Sequence, residues 1–295
     1  MLLGMSLGGW ACSGPAATSS EVIVDRVNLA LSQFDCSSAY LSVYPVYESS
    51  QSDNDIRLAM ASTYGCYAGV NILGIVRSLT EYGGVLSGGG LWAFLVQTFP
   101  SVAVPDDKKP QSAEYGLDAV MAAISPGVFP TEASLYRKDT YNPGSLSYHD
   151  RISTANAFQT FLGMALIGSL LSRYGLPDAN YHQTVLLPWT TAAATAGDGC
   201  ALASGILHFS DGLEFLSSIS GVALSGFYGT IQSFLDTVVD AACKAGCNSC
   251  GGSVSCETCP LSLRDRSSCT GSSTDVNSCA AAGIARMVNL TWQGP

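Results

Sequence analysis

Basic side chains are scarce. The 295 residues carry 13 Lys and Arg against 23 Asp and Glu, a formal net charge of −10 at pH 7. A nucleic-acid binder needs a basic stripe to displace phosphate counterions, so that class is excluded. The only paired lysines, Lys108 and Lys109, follow Asp106 and Asp107, which leaves no polybasic grip on anionic lipid. Charge of either sign is scarce too, at 12 % of residues, about half the ~25 % of an average soluble domain. With 47 % apolar residues the chain is no candidate for general disorder, which needs low hydrophobicity and high charge. Histidine occurs three times, as His149, His182 and His208, and none lies in a nucleophile or metal motif. No G-x-S-x-G, H-E-x-x-H or phosphate loop is present.

A long unbroken apolar run is also missing. The stretch between Arg151 and Arg173 has no charge and matches a bilayer in length. Yet Ser153, Thr154, Asn156, Gln159 and Thr160 occupy its first half, and only 161–171 is strongly apolar. That is too short to span, so a central helix buried on several sides is expected.

Cysteine is abundant instead. Eleven are present, seven of them within 243–279. Cytosolic chains seldom collect so many thiols without a metal, whereas exported chains use them as staples. Cys243, Cys247 and Cys250 have the C-x3-C-x2-C spacing of radical enzymes that use S-adenosylmethionine and hold an iron–sulfur cluster. Those enzymes carry the motif near the start of an α/β barrel; here it ends an expected helix, and too few residues follow. Cys247 with Cys250 and Cys256 with Cys259 resemble two zinc knuckles, but the gap between the pairs is short and no histidine is near. Disulfides are the favoured reading, with no metal and no cofactor. Gly251, Gly252 and the serine-rich tract 267–278 cannot build a core, and a segment of that kind is ordered most readily by cross-links. The candidates are Cys36, Cys66, Cys200, Cys243, Cys247, Cys250, Cys256, Cys259, Cys269 and Cys279.

The N-terminus, Met1-Leu2-Leu3 through Gly9-Trp10-Ala11-Cys12-Ser13, resembles the end of a bacterial lipoprotein signal: a short apolar run, small residues, then Cys. No Lys or Arg precedes the run, which departs from the usual basic start. The resemblance implies a lipid anchor on Cys12, a membrane association through that lipid, and ten remaining cysteines, enough for five disulfides. Ser13 rather than Asp follows, which by resemblance to enteric lipoproteins implies an outer-membrane address facing the periplasm or the surface. Residues 13–20 are small and polar, as in a flexible tether.

Helical periodicity dominates the rest. Ile23, Val27, Ala30, Leu31 and Phe34 share one helical face, with Asp25, Arg26, Asn28 and Gln33 opposite. Asp35 can cap a second helix whose apolar face is Ala39, Val43, Val46 and Tyr47, and Pro45 is expected to kink or shorten it. A third helix is expected over 56–82. Further helices are expected near 91–99, 111–124, 151–173, 200–220 and 227–242, with loops at 125–148 and 177–199.

Phe34-Asp35-Cys36 returns thirty residues later as Tyr64-Gly65-Cys66, each after an alanine-rich helix. The stretch 22–79 is similar to tetratricopeptide-type repeats of exported bacterial lipoproteins, one family of which supplies the accessory lipoprotein of periplasmic solute transporters. The matching positions let Cys36 and Cys66 meet across a hairpin. Cys200 would then pair with one of the seven C-terminal cysteines.

The expected fold is all-α, an array of helical hairpins with a disulfide-stapled C-terminal segment. Its organisation is a signal at 1–12, a tether at 13–20, a helical domain at 21–242 and a cysteine-rich segment at 243–295 packed on that domain. The expected role is a binding or scaffolding module for an envelope protein partner or a small solute, without catalysis. A purely structural envelope component and an enzyme of unrecognised type are the alternatives. Tyr40, Tyr44 and Tyr47, with the loop tyrosines Tyr136, Tyr141 and Tyr148, suit contacts because tyrosine combines area with a hydrogen bond.

Overall fold

The computed structural model describes residues 19–49, 53–71, 74–75, 89–100, 108–124, 146–185, 197–219 and 276–293, with positions 229, 231, 233–235, 237, 263 and 269. The fold is mostly helical, as the periodicity implies. Helices α1 (Ser19–Ser32), α2 (Cys36–Ser49) and α3 (Asn54–Tyr67) come first. Then follow α4 (Gly89–Thr98), α5 (Lys109–Ile124) and α6 (Leu146–Tyr174). A short hairpin, β1 (Gly175–Pro177) and β2 (Gln183–Val185), leads to α7 (Asp198–Ile219), and α8 (Val276–Gln293) ends the described chain.

Helices α1 to α3 pack on one another around a small core of Val27, Ala39, Val43, Ile56, Ala59 and Met60. Ile23, Ala30, Leu31, Val46 and Tyr47 complete it, so the apolar faces read from the sequence are the ones used. Phe34 is the exception. It sits past the end of α1 at φ 56° with 66 % of its surface exposed, so it leaves the core face. Asp35 caps α2 by accepting from the Ser38 N–H at 2.9 Å. Pro45 does not shorten α2, which runs on to Ser49. Its exposed ring faces water, where the missing N–H costs a helical bond but no packing clash with a neighbour. The expected tether also loses its last two residues, because α1 already begins at Ser19.

The third helix ends at Tyr67 and not near 82. Ala68, Gly69 and Val70 return N–H bonds to the carbonyls of Tyr64, Cys66 and Gly65, with Gly69 in the left-handed region at φ 83°. This closes the helix in the manner of a glycine C-cap, a signal hidden by the apolar periodicity that continues beyond it. Ile75 beyond the cap is buried, while Ile72, Val76 and Leu79 lie outside the described residues. At the other end Asp53 is the N-cap, accepting from Asp55 N and Ile56 N.

The larger core lies around α6. It packs against α7, α5, α4 and α3, and α3 faces both cores, giving Ile56 and Met60 to one and Leu58 and Ala61 to the other. The segment Thr154–Tyr174 is long and apolar enough to cross a membrane by length and composition, yet 78 % of its most apolar window is buried inside the protein. The expected central helix is thus present, starting at Leu146, inside what the sequence suggested was a loop. Two glycines let its neighbours approach backbone to backbone. A Cβ on Gly168 would collide with the carbonyl oxygen of Leu95 in α4, and one on Gly163 would stand 2.8 Å from the Phe209 nitrogen in α7.

Two elements depart from expectation. The 177–199 loop begins with the β1–β2 hairpin, in which Leu176 pairs with Thr184 and Pro177 with Gln183. Three-residue strands are too short for a readable alternation. The tail, for which no helix was expected, ends in α8. That helix buries Ala280, Ala281, Ile284, Ala285, Val288 and Trp292 in the main core and is tied to α4 by Trp92 Nε1 donating to Thr291 Oγ1 at 2.8 Å. At 229, 231, 233–235 and 237 the chain is helical, with Ile231 and Leu235 buried as the 227–242 periodicity implies.

Gly168→Ala is expected to lower stability by about 1–3 kcal/mol, because the carbonyl it meets cannot yield as a side chain could. Gly229→Ala, helical with nothing within 4 Å of the new methyl, is expected to raise it by about 0.5–1 kcal/mol. Urea denaturation of the two variants measures both.

Candidate functional site

Five tyrosines from three helices meet on one side of the α1–α3 unit. Tyr40 and Tyr44 lie one turn apart on α2, and their rings stack at 4.8 Å with 18° between planes. Tyr64 and Tyr67 from α3 meet the Tyr40 ring edge-on, at 6.3 Å and 6.2 Å. Tyr115 from α5 reaches Tyr64 at 5.5 Å. Each such pair contributes roughly 0.5–1.5 kcal/mol beyond the area it buries. Tyr40 and Tyr64 are half-buried at the centre, while Tyr44, Tyr67 and Tyr115 expose 36 %, 39 % and 42 % of their surface. The interior of the patch is therefore structural and its rim faces solvent.

Polar partners hold the rim. Gln111 Nε2 donates to the Tyr115 hydroxyl at 2.8 Å, and the Tyr67 hydroxyl donates to Ser37 Oγ at 3.4 Å. The Tyr44 phenol is hydrogen-bonded to Glu48, whose negative charge pushes its pKa up. Burial raises Tyr40, Tyr47 and, most strongly, Tyr64. All four phenols are thus held neutral, as donors and as flat apolar surface.

A disulfide frames the patch. Cys36 opens α2 and Cys66 sits in the last turn of α3, and their bond joins Cα atoms 5.7 Å apart. The residues next to each half-cystine are Ser37 and Tyr67, so the cross-link lies beside the hydrogen bond just described. A second disulfide joins Cys200, at the start of α7, to Cys269, with Cα atoms 6.3 Å apart. This is a bond between the helical body and the cysteine-rich segment. Cys279 in α8 is disulfide-bonded as well. Cys12, Cys243, Cys247, Cys250, Cys256 and Cys259 lie outside the described residues, as do Tyr136, Tyr141 and the expected 1–12 signal. Among the described residues no three His, Cys, Asp or Glu side chains gather in a metal-binding group.

The histidines sit elsewhere. His208 is buried in α7, where its Nδ1 lies 2.9 Å from Gln159 Nε2 of α6. His182 ends the turn between β1 and β2; its carbonyl accepts from the Asp178 N–H, and its own N–H donates to the Asp178 carboxylate. His149 falls in the first turn of α6, three residues after its start at Leu146.

Sequence reasoning nominated Tyr40, Tyr44 and Tyr47. Tyr40 and Tyr44 belong to the patch, whereas Tyr47 is half-buried between the two cores. Tyr64, Tyr67 and Tyr115 were missed. The i, i+4 spacing of Tyr40 and Tyr44 and the i, i+3 spacing of Tyr64 and Tyr67 were the available signal, since such pairs share a helix face. Comparison with protein-family models, with curated proteins and with solved structures yields no match to this chain.

Tyr64, and Tyr174 with its hydroxyl donating to Asp198 at 2.6 Å, have folded pKa values raised far above the ordinary value of about 10. The unfolded chain releases these protons first, so this stability is complete below about pH 10 and is lost as pH rises beyond it. Ultraviolet phenolate titration is expected to show a late-ionising class of tyrosines, and Tyr64→Phe is expected to remove one member and flatten the alkaline loss of stability.

Proposed function

We propose that this chain is a binding module of the bacterial cell envelope, anchored through lipid on Cys12, that holds a protein partner or a small solute on its tyrosine face without catalysing a reaction. The observation that carries the reading is the rim of Tyr44, Tyr67 and Tyr115, exposed above a centre already packed by Tyr40 and Tyr64. Tyrosine provides large contact area with few rotatable bonds, so a pre-packed cluster loses little conformational entropy when a ligand docks. The neutral phenols of the rim suit a partner segment or solute offering flat apolar faces and hydrogen-bond acceptors.

The disulfides fit an oxidising compartment outside the cytosol. The lipoprotein-like ending at Cys12 and the following Ser13 support the outer membrane as the specific address, facing the periplasm or the surface. The three-helix packing of α1 to α3 is compatible with the tetratricopeptide-type resemblance of 22–79 and with a scaffold for an envelope protein.

A photo-cross-linking side chain at Tyr44 or Tyr67 of the full membrane-anchored chain is expected to capture one stoichiometric partner, with Leu290, exposed on α8, as the control position. Native mass spectrometry of the same preparation is expected to show any small solute. Equal labelling at all three positions, with no bound molecule by mass, would leave a purely structural envelope role as the better account. Separately, Cys12→Ser is expected to move the protein into the soluble periplasmic fraction; retention in the membrane would sink the anchor while leaving the binding face untouched.

A further inference from the structure

The two described disulfides differ in their surroundings. Cys200 is 2 % exposed and sits in the main core, and Cys269 packs against that core. Cys36 and Cys66 are both half-exposed at the surface of the α1–α3 unit. A thiolate must reach a sulfur from outside to exchange with it: Cys36 and Cys66 are both partly exposed, whereas in the second pair only Cys269 is, and Cys200 is sealed in the core.

Position also separates them. The α1–α3 unit has supports besides its cross-link: its own apolar core, the Asp53 cap on α3 and the Asp35 cap on α2. The last turn of α3 is closed by its backbone cap at 68–70, and the disulfide is its covalent tie to α2. This turn carries Cys66 and Tyr67, with Tyr67 exposed and held by the Ser37 hydroxyl and the Tyr40 ring. Opening the disulfide removes the covalent tie one residue away from both partners of the Tyr67–Ser37 bond, without removing any part of the core.

We infer that Cys36–Cys66 is an exchangeable disulfide whose opening by a dithiol protein rearranges the tyrosine face, while Cys200–Cys269 is a fixed staple. One thiolate of the dithiol attacks a sulfur of the Cys36–Cys66 pair, forming a mixed disulfide and expelling the other cysteine as thiolate. The second dithiol sulfur then displaces the remaining cysteine. Two electrons pass to the pair, the dithiol closes to its own disulfide, and the two protons it gives up are matched by the two thiols formed. The reverse sequence resets the face. The exchange requires only the geometry of the cross-link; its consequence falls on the surface assigned above to binding.

The test is graded reduction of the full-length native protein with dithiothreitol, trapping by alkylation, and peptide mapping. Cys36 and Cys66 are expected to label at least about tenfold faster than Cys200 and Cys269. The near-ultraviolet tyrosine circular dichroism should change in step with that labelling while the far-ultraviolet helical signal stays. Labelling of both pairs at one rate overturns the inference, and so does complete opening of Cys36–Cys66 with an unchanged tyrosine spectrum. A Cys36→Ser/Cys66→Ser protein provides an independent arm. Its tyrosine spectrum is expected to match that of the partially reduced native chain and to ignore dithiothreitol at that concentration; a spectrum like the oxidised protein overturns the coupling. Cross-linking at Tyr44 distinguishes this from failure of the binding reading, because a dichroism change with no captured partner sustains the switch and removes only the role assigned to the face.

Discussion

The structure depends on how closely other helices can approach α6. Few charges are available to this chain, so little of its order can come from ion pairs; Arg173 to Asp198, at 3.8 Å and partly exposed, is a weak one. What it has in quantity is small residues. Gly163 and Gly168 on α6, with Gly205 and Gly212 on α7, remove the side chains that would keep the backbones apart. Dispersion contacts then accumulate along the interface, and polar groups caught there must bond one another, as Gln159 does with His208. This explains why a helix with the composition of a membrane span is used as an interior strut. Its serines and threonines fold back on their own turn, as Thr160 does to Asn156 and Ser169 to Ala165, so burial leaves their hydroxyls satisfied.

The α1–α3 unit follows a different rule. Its core is small, and its order is reinforced from outside by caps, tyrosine stacking and a disulfide. It meets the rest through α3 and α5, where Arg57 donates both to Asn54 beside it and to the carbonyl of Ala122 in the last turn of α5. That single guanidinium bonds a carbonyl in the last turn of α5 and ties the two helices together. The tyrosine patch spans the same junction, since Tyr64 and Tyr115 belong to α3 and α5. A contact made at the rim therefore bears on the joint between two cores.

Much of this was legible beforehand. Period-3.6 patterning placed the helices and identified Val27, Ala39 and Val43 as interior, because amphipathic surface helices display their buried face directly. The same patterning misjudged α3, where apolar residues continue past the Gly69 cap and one left-handed residue outweighs the periodicity. It missed α8, because the cysteine- and serine-rich residues before it drew the reading to cross-links, although Ile284, Val288 and Trp292 align at intervals of four. The tyrosine face was half visible. Tyr40 and Tyr44 advertise themselves within one helix, but their meeting with Tyr64, Tyr67 and Tyr115 is a product of tertiary packing, which no local pattern encodes. Cysteine pairing had the same limit: matching positions favour Cys36 with Cys66, whereas nothing in spacing selects Cys269 for Cys200.

The placement of the Cys36–Cys66 bond also bears on how so many thiols find their partners. A chain emerges with its N-terminus first, and domains assemble in that order. Cys36 and Cys66 are thirty residues apart in one small helical unit with its own interior. They can meet an oxidant and be sealed before the seven cysteines of 243–279 arrive to compete. Order of appearance thus does part of the work that sequence spacing leaves undone, and the crowded end of the chain begins its own sorting with two contenders already withdrawn.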